Sequence, residues 1–302
     1  MHWLFEPGLF ANHSVRTALL VGAIVAVVSA VVGIFTVLRG QSFAGHALTD
    51  VATAGGAGAF LAGVAPLVGF VGGGVVGAGA MDAIGVQRVK GRDIATGVVL
   101  GAATGLAALF LYLSTTHSSA TGTTQLILFG SIFTVQSSTL PEVVVLSLAV
   151  LLTVAIIGRP LLLSSLSTEL ASARGVRLRG IGLAFMVILA VSVGLSAIII
   201  GSILSTALLI GPPASALKLV HRFGAGVVLA AALGVGATLL GIVLAYNSYY
   251  WFSSHRGLPV SFFVVVLVVL EFVIASVIQR VRREKTPAAP QTRALSDRTG
   301  GH

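Results

Sequence analysis

The sequence predicts an all-α fold, a polytopic bundle of transmembrane helices, on three observations. Of 302 residues, 56% are hydrophobic and only 9% charged, whereas soluble domains carry roughly 25% charged residues. The mean hydropathy is +1.04. Several apolar runs exceed the roughly 18 residues that a spanning helix needs. The absence of cysteine excludes disulfides, thiolate zinc sites and thiol redox chemistry. A net charge of +9 would suit nucleic acid, but the charges fall between the hydrophobic runs, the pattern of a chain oriented in lipid.

Residues 1–14 place Trp3, Phe5 and Phe10 beside Glu6 and Pro7, which reads as an interfacial segment with aromatic anchors. It has neither the basic start nor the small-residue cleavage site of a signal peptide. The first span runs from Val15 to Leu38, and Arg39 ends it. A second follows the turn at Gly40-Gln41 and reaches about Val64. Pro66 opens a third, so rich in glycine that it must pack closely on its neighbours. The loop after it carries Arg88, Lys90 and Arg92 and is expected in the cytoplasm. A fourth span covers Ala95 to Leu113, and the linker beyond it has no lysine or arginine. Residues 126–135, LILFGSIFTV, are too few to span and read as a re-entrant or interfacial helix.

A fifth span starts after Pro141 and ends near Gly158, before a segment containing Arg159, Arg174, Arg177 and Arg179. From Ile181 to Leu219 the chain is long enough for two spans, with a break expected near Gly201-Ser202 and an interruption at Pro212-Pro213. An eighth covers Gly226 to Tyr246, and a ninth Val260 to Ile278. The transmembrane domain is thus residues 15–280, and 281–302 form a basic cytoplasmic tail expected to be disordered. Of the eighteen lysines and arginines, this topology puts Arg16 and Arg256 outside and the rest inside. About nine spans follow, with eight to ten compatible, amino terminus out and carboxyl terminus in.

Ionisable residues within spans cost about 2.5–3.5 kcal/mol on insertion scales, so each needs a reason. His46 and Asp50 are four apart and share a helix face, with Cβ atoms about 6 Å apart. Asp50 lies roughly 12 Å into the second span at 1.5 Å per residue, near the midplane of a ~30 Å core. The pair is either a cation site lining a pathway or a polar contact holding helices together. Asp82 sits near the cytoplasmic end of the third span, residues 66–85, where pairing with Arg88 or a helix-end role suits it. Glu271, beyond the middle of the last span, is either an interhelical contact or a pathway residue. Glu142 fits dipole stabilisation in the first turn of its helix. The sequence contains no GxxxxGK[ST], HExxH or GxSxG motif, so energy for transport must come from an ion gradient or a partner.

The run VLRGQSFAGHALTDVATAGGAGAFLAG resembles the second-span signature of the metal permeases of bacterial ATP-binding-cassette importers, the zinc, manganese and iron group. Two further blocks agree in order: RDIATGVVLGAATGLAALFLYL with TTQLILFGSIFTV, and TELASARGVRLRGIG with GSILSTALLIGPPASALKL. The resemblance spans residues 15–280 and implies a type II importer-like permease, not itself an enzyme, in the bacterial cytoplasmic (inner) membrane. It further implies a homodimer, a separate cytoplasmic ATPase, and an extracytoplasmic solute-binding protein that delivers the divalent metal. No permanently bound cofactor is implied. Coupling to the ATPase would fall on Ala171, Arg174 and Gly175, and on Pro212, Pro213 and Lys218. In the usual family pattern, Gly-Asp-Ala-Leu-Ser-His-Ala, aspartate precedes histidine; here His46 and Asp50 have exchanged places. Two copies about a two-fold axis would supply an N₂O₂ set suited to zinc or manganese. A metal chelate as cargo, or a gradient-driven carrier using Asp50 or Glu271, are the alternatives.

Overall fold

The computed structural model describes residues 12–85, 92–117, 127–130, 132–133, 139–251 and 257–285. In these, ten α-helices follow one another: α1 (His13–Leu38), α2 (Ser42–Leu61), α3 (Pro66–Ile84), α4 (Arg92–His117), α5 (Leu140–Leu166), α6 (Thr168–Ala173), α7 (Leu178–Ile200), α8 (Ser202–Leu219), α9 (Phe223–Trp251) and α10 (Val260–Lys285). Seven are long and apolar enough to cross a membrane: α1, α3, α4, α5, α7, α9 and α10. Nine spans were expected; the two not among the seven are α2 and α8, which carry the intramembrane polar and proline-rich blocks.

Burial sorts the helices into layers. About 72% of the apolar window of α7 and 67% of that of α1 is buried, against 22% for α4 and α5. Hence α1 and α7 form the centre, while α4, α5 and α10 expose Val98, Leu109, Leu152, Ile156 and Ile274 outward, as lipid-facing helices do. The core around α1 and α7 packs Val28, Val32 and Phe35 against Phe185, Met186 and Leu189. Helix α2 packs on α3, α4, α7 and α8. Its approach to α3 is backbone to backbone: a Cβ on Gly55 would sit 2.8 Å from the Gly73 Cα, the close contact that small residues allow in membranes.

Several boundaries follow their expected signals. Pro66 starts α3 and Gly85, with φ +89°, ends it, as left-handed glycine does after a helix. The expected break between α7 and α8 is the single residue Gly201, φ +105°. There the chain beyond α4 packs: residues 127–129 make a helical turn, and Gly130 (φ +84°) lies against the Ile200–Gly201 peptide. Residues 126, 131, 134 and 135 of the segment are outside the described residues.

Three expectations need correction. Helix α5 does not stop at Gly158 but runs through Pro160 to Leu166, with Ser164 and Ser165 donating to the Leu161 carbonyl at 2.8 and 2.6 Å. Nor do Pro212 and Pro213 interrupt α8, which is helical through both. Each proline lacks the N–H that would bond four residues back, and the Leu209 carbonyl freed by Pro213 faces Gly33 of α1. Neighbouring helices thus tolerate what a solvated helix would not. Finally, residues 281–285 belong to α10, where Arg280 Nε pairs with Glu284 at 3.3 Å; residues 286–302 and 1–11 are outside the described residues.

Candidate metal-pathway site

Helix α2 is set in place by its first residues. Gly40, φ +61°, reverses the chain after α1. Arg39 then ties three helices together. Its Nε donates to Gln41 Oε1 at 3.2 Å, a guanidinium nitrogen donates to Ser164 Oγ at 3.0 Å, and its plane lies 5.4 Å from the Phe185 ring. Such a fork suits arginine's fixed donor geometry.

One turn further, His46 Nδ1 lies 3.0 Å from Thr206 Oγ1 of α8. Thr49 extends this into a hydroxyl cluster: its Oγ1 donates to the Gly45 carbonyl at 3.0 Å, accepts from Ser205 at 3.3 Å, and lies 3.5 Å from Thr206 Oγ1. Asp50 turns the other way, where Thr104 of α4 donates to its Oδ2 at 2.5 Å, with the Leu100 carbonyl, 2.8 Å from the same hydroxyl, competing for that proton. Four helical residues advance about 40° beyond a full turn, enough for His46 to meet α8 and Asp50 to meet α4. The two residues therefore share a polar face without bonding to each other. His46 Nε2 and Asp50 Oδ1 make no hydrogen bond among the described residues. No cluster of three or more histidine, cysteine or carboxylate side chains forms among them, so one chain offers two such ligands.

Glu271 is not brought to this pair. It shares a face of α10 with buried Val264, Val268 and Ala275, and Val268 abuts Gly211 of α8. Its Oε2 is buried without a hydrogen-bond partner among the described residues. Asp82 lines a cavity with Arg39, Ser164, Thr168 and Arg179; Arg88, its expected partner, lies outside the described residues.

The two expected coupling segments differ. Ala171 is buried in the short α6, which Ser167 caps by accepting from the Leu170 N–H at 3.2 Å. Arg174 and Gly175 (φ +75°) close it, with Gly175 N–H on Ser172 O and Val176 N–H on Ala171 O. That double closure is the Schellman arrangement, and it makes six residues a defined knob, with Leu170 60% exposed. Lys218, by contrast, turns inward: its Nζ donates to Ser276 Oγ at 2.7 Å and lies 3.9 Å from the Phe272 ring centre. Pro212 and Pro213 stand one to two turns before it on α8. Sequence reasoning missed Thr104 and Thr206, because threonine is ordinary in apolar helices and only the third dimension pairs each with its ligand.

Comparison with known proteins agrees with this architecture. The chain matches the profile of the ABC 3 transport family over residues 11–279. It is 30% identical over 247 residues to the manganese import system permease protein ScaB of Streptococcus pneumoniae, covering 80% of this chain and 85% of that protein. It is 31% identical over 249 residues to the manganese transport system membrane protein MntC of Listeria innocua, again 80% and 85%. Among solved structures it resembles a chain of PsaBC from Streptococcus pneumoniae in complex with Fab, with a TM-score of 0.77, 26% identity, and coverage of 92% of this chain and 98% of that one. The chain belongs to the ABC 3 transport family and is the membrane-spanning permease component of such a transporter, not an ATPase.

Proposed function

We propose that this permease passes manganese, delivered by an extracytoplasmic binding protein, along a route lined by His46 and Asp50 and driven by a separate ATPase. The observation that carries it is a histidine and a carboxylate one turn apart on α2, each with a ligand atom free among the described residues, in a chain about 30% identical to manganese permeases. Imidazole nitrogen with carboxylate oxygen suits first-row divalent metals, and a transient two-ligand contact from one chain suits a cargo that must leave again. In a homodimer, the second copy would complete an N₂O₂ set, and the reversal of His and Asp along α2 would keep the same donors on one face.

In this reading all nine long helices cross the cytoplasmic membrane, with α2 and α8 shielded by the others, the amino terminus outside and the carboxyl terminus inside. Helix α8 links the two ends of the mechanism, carrying Thr206 against His46 and, further along, Pro212, Pro213 and Lys218 near the proposed ATPase face. The α6 knob, with Ala171, Arg174 and Gly175, supplies the exposed contact. Proteoliposomes containing permease and ATPase, supplied with ATP and binding protein, test this by uptake of radioactive Mn²⁺. His46→Ala and Asp50→Ala each abolish uptake while the complex with the ATPase still assembles; normal uptake by both removes the pair from the route.

A further inference from the structure

We infer that Thr206 and Thr104 are positioning residues that fix which atoms of His46 and Asp50 face the metal; this rests on the metal-route reading above. The two contacts have the same form. Each candidate ligand engages a threonine hydroxyl from a different flanking helix through one atom, and among the described residues leaves the other free: Nδ1 to Thr206 with Nε2 free, and Oδ2 to Thr104 with Oδ1 free.

One assignment of the hydroxyl protons gives His46 the tautomer that a metal needs. Thr49 gives its proton to the Gly45 carbonyl at 3.0 Å, so its oxygen is available as an acceptor. Thr206 makes no bond to its own helix backbone among the described residues, unlike Thr49 and Thr53. With the Thr206 proton directed to the Thr49 oxygen at 3.5 Å, its lone pair accepts from Nδ1 at 3.0 Å. In that arrangement Nδ1–H donates to Thr206 and Nε2 holds the lone pair a cation needs. A metal-binding histidine is typically held this way, its second nitrogen donating to a fixed acceptor.

On the other side, Thr104 donates to Asp50 at 2.5 Å, the length of a charge-assisted O–H···O⁻ bond. This pins Oδ2 on α4 and turns Oδ1 away from it. Because α4 and α8 flank α2 from different sides, the two threonines also fix the direction in which each ligand leaves the helix. Neither hydroxyl needs to touch the metal.

The test uses the purified permease–ATPase complex and equilibrium binding of Mn²⁺, read from the paramagnetic resonance signal of the free ion. Thr206→Val and Thr104→Val keep the side-chain shape and remove the hydroxyl. Each is expected to weaken Mn²⁺ binding about 10- to 100-fold, the usual cost of losing a partner that orients a ligand, while Thr206→Ser and Thr104→Ser stay within about threefold of wild type. Valine variants that bind like wild type, while His46→Ala and Asp50→Ala lose binding, overturn the positioning role and leave the route intact. Serine variants as weak as the valine variants overturn it too, since shape rather than the hydroxyl would then matter. Wild-type binding by His46→Ala and Asp50→Ala removes the site itself, and this inference with it.

Discussion

Replacing Gly33 with alanine puts a Cβ where α1 and α8 touch. That atom would lie 2.7 Å from Pro213 Cγ and 3.0 Å from the Leu209 carbonyl carbon, and against the Leu209 oxygen itself. Carbon contacts are optimal at about 3.5–4.0 Å, so the helices must part by roughly 1 Å. Overpacking of this kind costs about 1–3 kcal/mol. The damage should reach the site, because Leu209 also closes on Gly45, where a Cβ would be 2.9 Å from Leu209 Cδ2, next to His46. Gly236 of α9 is the control: nothing lies within 4 Å of its Cβ position, and alanine gains up to about 1 kcal/mol of helix propensity there. Denaturant unfolding of the purified permease in one detergent should therefore move in opposite directions for Gly33→Ala and Gly236→Ala. A Gly33→Ala protein as stable as Gly236→Ala, with unchanged Mn²⁺ uptake, would refute the close α1–α8 contact.

Two further outcomes follow from single side chains. Glu271→Gln replaces a carboxylate whose Oε2 is buried and unpartnered among the described residues, so ATP-driven uptake and stability should both be retained. Uptake lost in a stable protein would put Glu271 on the route. Arg39→Lys gives up the forked contact to Gln41 and Ser164 and the stacking on Phe185, a loss of about 1–3 kcal/mol in the same unfolding assay. Unchanged stability would show that Arg39 does not anchor α2.

The sequence made the helices legible where a residue dictates the backbone. Pro66, Gly85 and Gly201 mark ends that coincide with the observed ones, because a missing N–H or a positive φ acts locally. Prolines misled where the surroundings decide: Pro160, Pro212 and Pro213 lie inside helices, which lipid-embedded helices tolerate better than solvated ones. His46 and Asp50 stood out since an ionisable residue in an apolar run needs a reason. Their divergence toward α8 and α4 was not legible, for it depends on which helices flank α2. The same holds for Lys218, whose inward turn onto Phe272 and Ser276 is set by the packing of α10 rather than by its own helix.

Manganese located in a structure of the complete transporter, trapped with Mn²⁺ in the membrane region and identified by its anomalous scattering, tests the assignment of the route most directly. The ion is expected bonded to His46 Nε2 and an Asp50 oxygen, with Thr206 and Thr104 on the far sides of the two ligands. Manganese bound in the membrane with neither residue among its ligands would contradict it.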